Sequence, residues 1–470
     1  ISLRYLEMEK YDVVVIGGGP GGYPAAIRSA QLGLRVAIVE IRDRFGGECT
    51  LYGCIPTKSL IKFSGIYWGA RTSSFIKNRE SIDADFTEIM KRTNEIVSKI
   101  SSGIEYLLKS YGVDIYRGRA EIREDKSIVI SNETILRADK IIVATGTDPV
   151  IPSEYRVFEK YLLDNRSVLS LREKPSSLII IGGGYVGIEF ATFLSRLGVE
   201  INVVEMMPNI LPGIDVDASR LIEKKLVSMG VKIHKNTVVK ELREVNGEIE
   251  AKLSSGEVVR GEKILVAIGR APNTRDIGLE RVGVELSDRG YVKVDDHMRT
   301  SNPSIYASGD VAGPPLLAHK AFIQAYVAAE NASGREAGYS KIAIPSVVFS
   351  DPEIAQVGYT VEEARKKGFE PVAYRLFLGG VARAVIEDAE TGFIKLVIDK
   401  SSKKILGGVI VSPHASELIS VLSLAIELGL STRDLGEAIY PHPTLSEIYK
   451  EIIDYIEEKS THYFIKKRSL

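Results

Sequence analysis

The chain contains two cysteines, Cys49 and Cys54, within the segment GGECTLYGCIPTK at positions 46–58. A thiolate is a nucleophile, a metal ligand and one half of a disulfide, so a close pair is either reactive or structural. Two cysteines cannot form a disulfide framework for 470 residues or a four-cysteine zinc site, and none of the six histidines lies near them in sequence. Their spacing is not that of a thioredoxin-type pair, so two isolated buried thiols remain an alternative.

A second candidate for chemistry is His442, which lies between Pro441 and Pro443 and five residues before Glu447. A histidine paired with a carboxylate can remove a proton and return it near neutral pH. Without other information, a histidine between two prolines is more typical of a rigid loop. The remaining histidines carry no catalytic motif, and we expect no metal site.

An internal repeat shows which elements position these residues. Residues 13–40 read VVVIGGGPGGYPAAIRSAQLGLRVAIVE, and residues 178–205 read LIIIGGGYVGIEFATFLSRLGVEINVVE. Each copy has an apolar β-branched strand, a glycine turn, a helix and a second strand that ends in glutamate. The pattern predicts two strand–helix–strand units, each part of a parallel sheet. The equivalent positions are Gly17, Gly19, Gly22 and Glu40 in the first copy and Gly182, Gly184, Gly187 and Glu205 in the second.

The spacing within each copy is that of a dinucleotide site. The first glycine allows a tight turn, the second allows close approach of a pyrophosphate, and the third allows the helix to pack on the strand. The helix N-terminus favours the pyrophosphate, and the glutamate accepts a hydrogen bond from a ribose 2′-hydroxyl. Glu205 would repel a 2′-phosphate, and residues 206–209 include no Arg or Lys, so the second site favours NAD over NADP.

The pattern changes near Pro345. Residues 393–399 and 404–411 alternate around a short turn, which predicts an antiparallel hairpin. Thr360 and Glu363 predict a capping box, and helical periodicity continues over 415–429 and 446–458. The predicted fold class is therefore α/β, with two Rossmann-like dinucleotide-binding domains and a C-terminal α+β dimerisation domain. The predicted domains are 1–150 with 271–345, then 151–270, then 346–470, and residues 1–7 are interpreted as a loose extension.

Composition narrows the class of protein further. Lys and Arg number 61 and Asp and Glu number 62, so no basic excess favours nucleic-acid binding. Charged residues interrupt every apolar stretch before it reaches the ~18 residues that could span a membrane. The first residues show no signal-peptide pattern. We expect a cytoplasmic protein with no membrane association.

Taken together, these features resemble the class I pyridine-nucleotide-disulfide oxidoreductases, most closely the dihydrolipoamide dehydrogenases among them. The resemblance covers nearly the whole chain. It rests on both glycine loops and on GGECTLYGCIPTK at 46–58, ATG at 144–146, GRAPNT at 269–274, SGD at 308–310, LAHKA at 317–321 and HPTLSE at 442–447.

The resemblance implies FAD at the first loop, NAD at the second and a redox disulfide between the two cysteines. Cys54 would be the thiol that touches the flavin, and Cys49 would exchange with substrate. Lys58 and Glu189 correspond to an ion pair near the flavin. Further implied contacts to FAD are Gly118, Thr145, Gly146, Asp310 and Ala318, and further implied contacts to NAD are Val239 and Gly269.

His442 and Glu447 resemble the family's acid–base dyad, which reaches across a two-fold interface into the partner's disulfide site. The resemblance therefore implies a homodimer built largely by residues 346–470. The segment Thr50-Leu51-Tyr52 stands between the cysteines where Leu-Asn-Val is more usual.

The implied reaction is oxidation of protein-bound dihydrolipoyl groups by NAD⁺. The expected partner is a lipoyl-bearing acyltransferase or a glycine-cleavage carrier protein. Two alternatives stay open: an NAD(P)H-dependent reductase of another disulfide, and a non-enzymatic redox flavoprotein. Glu205 disfavours a glutathione-type reductase, and the lack of a C-terminal cysteine pair disfavours a mercuric reductase.

Overall fold

The computed structural model describes residues 9–339 and 343–465, so the interpreted extension over residues 1–7 lies outside the described part. The first part of the chain alternates strands and helices. Its elements are β1 Glu9–Ile16, α1 Tyr23–Gln31, β2 Val36–Glu40, α2 Gly47–Tyr52, α3 Cys54–Thr72, α4 Phe86–Ser110, β3 Asp114–Arg117, β4 Ala120–Ile122, β5 Ile128–Ile130, β6 Thr134–Val143 and β7 Thr147–Pro149.

The second part repeats this arrangement and adds a small antiparallel sheet. Its elements are β8 Leu162–Leu163, β9 Ser177–Ile181, α5 Tyr185–Arg196, β10 Glu200–Val204, α6 Val216–Ser228, β11 Lys232–His234, β12 Val239–Val245, β13 Glu248–Leu253, β14 Val258–Gly261, β15 Lys263–Val266 and β16 Arg270–Pro272.

The last part begins with β17 Ile305–Ala307 and α7 Ala318–Ala332. It continues with β18 Ser346–Val348, β19 Glu353–Gly358, α8 Val361–Lys366, β20 Pro371–Phe377, α9 Ala382–Ile386, β21 Phe393–Asp399, β22 Ile405–Ser412, α10 Ala415–Glu427, α11 Thr432–Gly436 and α12 Ile448–Ile456. Short 3-10 helices cover Arg79–Ser81, Ser153–Phe158, Ser167–Ser170, Glu280–Val282, Gly309–Ala312, Leu378–Gly380 and Leu445–Glu447.

The first sheet has the strand order β3-β2-β1-β6-β5-β4, and β17 returns to pair with β6. Four pairs of adjacent strands in this sheet are parallel: β1 with β2, β1 with β6, β2 with β3, and β6 with β17. Alternate residues of β1 face opposite sides, because side chains in a strand alternate with a period of two. Val13 packs with α1 and α7 on one face, and Val14 packs with β4 and β5 side chains on the other.

The second sheet has the order β11-β10-β9-β15-β8, and all its strands are parallel. Its central strand β9 is buried on both faces, as Leu178 and Ile180 join one hydrophobic cluster and Ile179 and Ile181 join another. The burial explains why this strand is a nearly continuous run of β-branched residues. Both strand–helix–strand units are therefore confirmed.

The C-terminal part forms a five-stranded antiparallel sheet of order β18-β19-β22-β21-β20, covered by α10 and α12. The predicted hairpin is β21 with β22, and the predicted capping box of Thr360 and Glu363 begins α8. The α/β fold class with an α+β C-terminal part is confirmed, whereas the exact domain limits stay a prediction. Among the described helices, none is long and apolar enough to cross a membrane.

The third glycine of each loop makes the close approach that its position predicts. A Cβ atom on Gly22 would lie 1.7 Å from the Gly17 carbonyl oxygen, and one on Gly187 would lie 2.0 Å from the Gly182 carbonyl oxygen. Real Cβ atoms do not approach backbone oxygen this closely, so a side chain there would displace α1 or α5 from its sheet. The sequence repeat therefore reflects the same packing contact made twice.

We expect Gly22→Ala to lower the free energy of unfolding by roughly 1–3 kcal/mol, the usual cost of overpacking, or to prevent folding. The measurement is urea unfolding followed by circular dichroism. Gly69→Ala is the control, because a Cβ there meets nothing within 4 Å inside α3. It should stabilise the protein by about 0.5–1 kcal/mol. Equal midpoints for the two variants would contradict the packing argument.

Candidate active site

A cavity of about 2020 Å³ opens where β1, β2 and β6 end at their carboxyl edge. Ligands of open parallel sheets bind at this edge, and the volume exceeds the 300–1,000 Å³ usual for small-molecule pockets. The cavity is long enough to join the first glycine loop to the cysteine segment. Predicted site residues on its lining are Gly17, Gly19, Glu40, Cys49, Cys54, Lys58, Gly118, Thr145, Gly146, Glu189, Asp310 and Ala318.

Glu40 is held in place by the glycine turn itself. Its Oε2 accepts a hydrogen bond from the Gly18 backbone N at 2.6 Å, and its Oε1 accepts one from the Arg42 backbone N at 2.8 Å. The side chain is buried. Each carboxylate oxygen keeps a lone pair for another donor, so Glu40 can still accept from a ribose hydroxyl.

The predicted ATG and GRAPNT segments bind each other at the rim of the cavity. Thr145 Oγ1 donates to the Asn273 carbonyl oxygen at 2.7 Å, and Asn273 Nδ2 donates to the Thr145 carbonyl oxygen at 3.1 Å. Gly118 has φ +140° and donates its backbone N–H to the Glu40 carbonyl oxygen at 3.0 Å. These contacts fix the backbone around the cavity.

Asp310 lies on the lining, with its Oδ2 accepting from Thr147 Oγ1 at 3.1 Å. Burial raises the pKa of this carboxyl, although the charge of Arg270 and the Thr147 hydrogen bond oppose the rise. A carboxyl in this setting is suited to a hydroxyl-bearing ligand, with which it can share a hydrogen bond in either protonation state. Ala318 begins α7 beside it.

The second glycine loop has the same local geometry as the first. Glu205 Oε2 accepts from the Gly183 backbone N at 2.7 Å, and its Oε1 accepts from the Met207 backbone N at 2.7 Å. A Cβ on Gly184 would meet nothing within 4 Å, which leaves open space at the loop for a phosphate. The predicted cofactor-binding residues that do not line the large cavity are Gly22, Gly182, Gly184, Gly187, Glu205, Val239 and Gly269. Tyr185, which begins α5, does line it.

Cys49 and Cys54 lie together, one in α2 and the other at the start of α3. Both are free thiols, and they lie close enough for each to shift the pKa of the other. The interaction with Cys54 and burial raise the pKa of Cys49. The interaction with Cys49 lowers the pKa of Cys54; burial opposes this shift, while the charge of Lys58 reinforces it. The pair therefore has one thiol that ionises readily and one that does not.

The Lys58 ammonium lies between the cysteines and the second unit. Its Nζ donates to both carboxylate oxygens of Glu189 on α5, at 2.9 and 2.8 Å. Glu189 is buried and also accepts from the Phe349 backbone N at 3.2 Å. Lys58 Nζ lies 4.5 Å from the centroid of the Phe349 ring. One ion pair thus joins α3, α5 and the C-terminal sheet beside the cysteines.

His442 and Glu447 form a pair on the surface of this chain. Glu447 Oε1 lies 2.8 Å from His442 Nδ1, and Glu447 Oε2 accepts from the Thr444 backbone N at 2.9 Å. The His442 side chain is 70% exposed and is absent from the described lining of the cavity. The structure therefore brings the dyad together but leaves it apart from the cysteines of its own chain.

The sequence argument missed a charged cluster beside Cys49. Glu48 accepts hydrogen bonds from Asn165 and Arg166, and Arg270 lies 3.2 Å from it. Its adjacency to Cys49 was the only sequence signal, because the partners lie more than one hundred positions away. Among the described residues, no group of three or more His, Cys, Asp and Glu could hold a metal ion.

Comparison with known proteins agrees with this geometry. The model of the pyridine nucleotide-disulphide oxidoreductase family matches residues 11–325, and the model of its dimerisation domain matches residues 344–453. The chain belongs to this family. Its membership confirms the resemblance found in the sequence, the FAD-dependent and NAD-linked disulfide oxidoreductase activity, and both predicted cofactors.

Curated relatives are similar over nearly their full length. The dihydrolipoyl dehydrogenase of Thermus scotoductus is 39% identical over 97% of this chain and 99% of its own. The dihydrolipoyl dehydrogenase of Geobacillus stearothermophilus is 37% identical over 97% and 98% of the two chains. A solved structure, the HOCl-induced flavoprotein disulfide reductase of Escherichia coli, is 27% identical with a TM-score of 0.86 over 95% and 99%.

The residues present fit both cofactors of the family. The first glycine loop, buried Glu40, Asp310 and the cysteine pair all line one continuous cavity, as an extended dinucleotide requires. The second loop presents the same turn and glutamate at a separate surface. The individual cofactor contacts assigned from the sequence stay predictions.

We expect Lys58→Met to raise the pKa of Cys54, because the substitution removes the positive charge that lowers it. A thiolate reacts with iodoacetamide and a thiol does not, so the pH profile of alkylation should move to higher pH. The measurement uses the FAD-loaded Cys49→Ser variant, in which Cys54 is the one cysteine left in the sequence. Lys58→Arg keeps the charge and is the control.

The combined Lys58→Met and Glu189→Gln variant provides a second test in case Lys58→Met does not fold. It leaves no unpaired buried carboxylate. It should show the same shift in the alkylation profile. A profile unchanged in both variants would mean that Lys58 does not set the ionisation of Cys54.

Proposed function

We propose that the chain is a dihydrolipoyl dehydrogenase, which oxidises protein-bound dihydrolipoyl groups and reduces NAD⁺ to NADH. The observation that carries the proposal is that Cys49 and Cys54 lie together on the wall of the cavity, where the Lys58–Glu189 ion pair also lies. Full-length similarity to curated dihydrolipoyl dehydrogenases supports the choice of substrate.

The thiol chemistry follows from the opposite shifts. Starting from the Cys49–Cys54 disulfide, one substrate thiolate attacks the Cys49 sulfur, and the Cys54 thiolate leaves. The second substrate thiolate then attacks the substrate sulfur bound to Cys49 and releases Cys49. The products are one lipoyl disulfide and the cysteine dithiol, so two electrons have moved to the protein. A leaving thiol of low pKa departs faster, so the lowered pKa of Cys54 suits this role.

FAD, which Glu40 and Asp310 would help to hold in the cavity, would supply the two-electron chemistry between the dithiol and NAD⁺. The chain's own residues position and charge the site. Lys58 stabilises the Cys54 thiolate, and the buried Glu189 carboxylate pairs with the half-buried Lys58 ammonium. The overall reaction is dihydrolipoyl group + NAD⁺ ⇌ lipoyl group + NADH + H⁺.

The proton from the substrate thiol goes to His442 of the partner subunit. His442 is exposed and lies apart from the cavity of its own chain, within the segment that matches the dimerisation domain. Glu447 accepts a hydrogen bond from Nδ1–H, which leaves Nε2 free to accept and return a proton. A dimer in which each subunit completes the other's site accounts for both observations.

The substrate is carried by another protein in this proposal, either a lipoyl-bearing acyltransferase or a glycine-cleavage carrier protein. NAD rather than NADP is the acceptor, because Glu205 is buried and held by two backbone N–H groups where a 2′-phosphate would lie. FAD belongs to residues 1–150 with 271–345, NAD to 151–270, and the dimer contact to 346–470.

The FAD-loaded protein should form NADH from dihydrolipoamide and NAD⁺, and it should be far slower with NADP⁺. Cys49→Ser should abolish turnover while keeping the flavin, because no disulfide can form. The measurement is steady-state NADH absorbance. A bound flavin that NADH can reduce, with no dihydrolipoamide turnover in the native chain, would assign the protein to another disulfide substrate.

Mixing inactive subunits tests whether the dyad acts across the dimer. A heterodimer of Cys49→Ser and His442→Gln chains retains one complete site if His442 serves the partner, and none if it serves its own chain. Refolding the two variants together should restore roughly a quarter of native activity, since half of the dimers are mixed and each has one site. Activity no higher than that of the separate variants would contradict the shared site.

A further inference from the structure

Glu48, the residue before Cys49, has a side chain that is only 19% exposed and is surrounded by cations. Arg166 Nη2 donates to its Oε2 at 2.7 Å, and Asn165 Nδ2 donates to its Oε1 at 2.7 Å. Arg270 Nη2 lies 3.2 Å from Oε1, and Arg42 Nη2 lies 3.6 Å from Oε2. Burial raises the pKa of Glu48, but the bonds to Arg166 and Asn165 and the charge of Arg270 outweigh it and lower the pKa.

Asn165, Arg166 and Arg270 come from the ends of two neighbouring strands of the second sheet. Strands β8 and β15 are adjacent and parallel, and Leu162 pairs with Ile264. Asn165 and Arg166 follow β8 directly, and Arg270 follows β15 after the turn at Gly269. Because the carboxyl ends of parallel strands lie at one edge, both strand ends reach the same carboxylate. Glu48 thus attaches the second dinucleotide unit to the helix that carries Cys49.

Asn165 holds both ends of that helix. Besides its bond to Glu48, Asn165 Nδ2 donates to the Tyr52 carbonyl oxygen at 3.1 Å. The guanidinium groups of Arg42 and Arg166 lie 5.3 and 5.5 Å from the centroid of the Tyr52 ring. Helix α2 is six residues long, which is too short to be stable through its own hydrogen bonds. Its orientation, and hence the position of Cys49, depends on these outside contacts.

We propose that Glu48 is a positioning residue for the cysteine pair: its hydrogen bonds to Asn165 and Arg166 and its ion pair with Arg270 orient α2 so that the Cys49 sulfur stays within bonding distance of Cys54. This inference rests on the proposed exchange role of Cys49 for its catalytic meaning. The orientation of α2 by Glu48 does not depend on which dithiol is the substrate.

A disulfide needs its two Cα atoms within about 7 Å and its Cβ atoms facing each other. If α2 is released, the two sulfur atoms meet less often, so the disulfide becomes less stable relative to the dithiol. We therefore expect Glu48→Gln to reduce the equilibrium constant for disulfide formation about tenfold. For a two-electron couple this is a rise of about 30 mV in the midpoint potential.

The measurement equilibrates the FAD-loaded protein anaerobically in buffers of reduced and oxidised dithiothreitol, then counts thiols after acid quenching. Dithiothreitol is a simple dithiol, so the result does not depend on the dihydrolipoyl assignment. Asn165→Ala is the second variant, because it removes one hydrogen bond from each end of α2 without changing any charge. It should raise the potential in the same direction.

Asp148→Asn is the matched control. Asp148 accepts a hydrogen bond from the same Arg166 and has no described hydrogen bond or ion pair with α2, so its substitution removes an equal charge beside the same guanidinium. We expect its potential to equal that of the native protein. A native potential in folded, flavin-bound Glu48→Gln or Asn165→Ala would overturn the proposal. So would an equal shift in Asp148→Asn, which would trace the effect to charge alone.

Discussion

The two cysteine sulfurs must stay in contact on the wall of a cavity, and the surrounding elements serve that constraint. Cys49 lies on a helix of six residues and Cys54 begins the next helix, with only Gly53 outside both. Neither the short helix nor its sequence spacing fixes the contact. Two charged neighbours of the cysteines instead bind distant parts of the chain: Lys58 on α3 pairs with Glu189, and Glu48 on α2 pairs with Arg166 and Arg270. Each group is buried or half-buried, so removing one partner leaves a costly unpaired charge.

In both dinucleotide units the third glycine lets the helix pack closely on its strand. The two units reach the cysteine pair through different elements. The first unit contributes the cavity itself, at the carboxyl edge of its sheet. The second contributes α5, through Glu189, and the ends of β8 and β15, through the Glu48 contacts. The C-terminal sheet reaches the same place through Phe349, whose backbone N–H binds Glu189. Three parts of the chain therefore meet beside the cysteine pair, which links the fold to the exchange chemistry.

Periodicity and spacing among neighbouring residues predicted the helices, strands and turns. They did not predict contacts between residues that are far apart in the sequence. The glycine loops, the hairpin of β21 and β22 and the capped helix α8 depend on neighbours in sequence, so periodicity and spacing identified them. The family resemblance supplied the pairing of Lys58 with Glu189, 131 positions apart, which no periodicity shows. Neither periodicity nor the family resemblance indicated the contacts of Glu48. Ion pairs across 118 positions leave no local signal, and Arg166 resembles any surface arginine in the sequence.

The central claim is that Cys49 and Cys54 exchange electrons with a nicotinamide through the bound flavin. The chain has no other cysteine, so the claim can be tested by counting thiols in the FAD-loaded protein before and after anaerobic addition of NADH. Denaturation in acid followed by alkylation and intact mass gives the count. The account predicts no free thiol in the air-oxidised protein and two after NADH, with no change in FAD-free protein. A thiol count that NADH leaves unchanged, while the flavin is reduced, would contradict it.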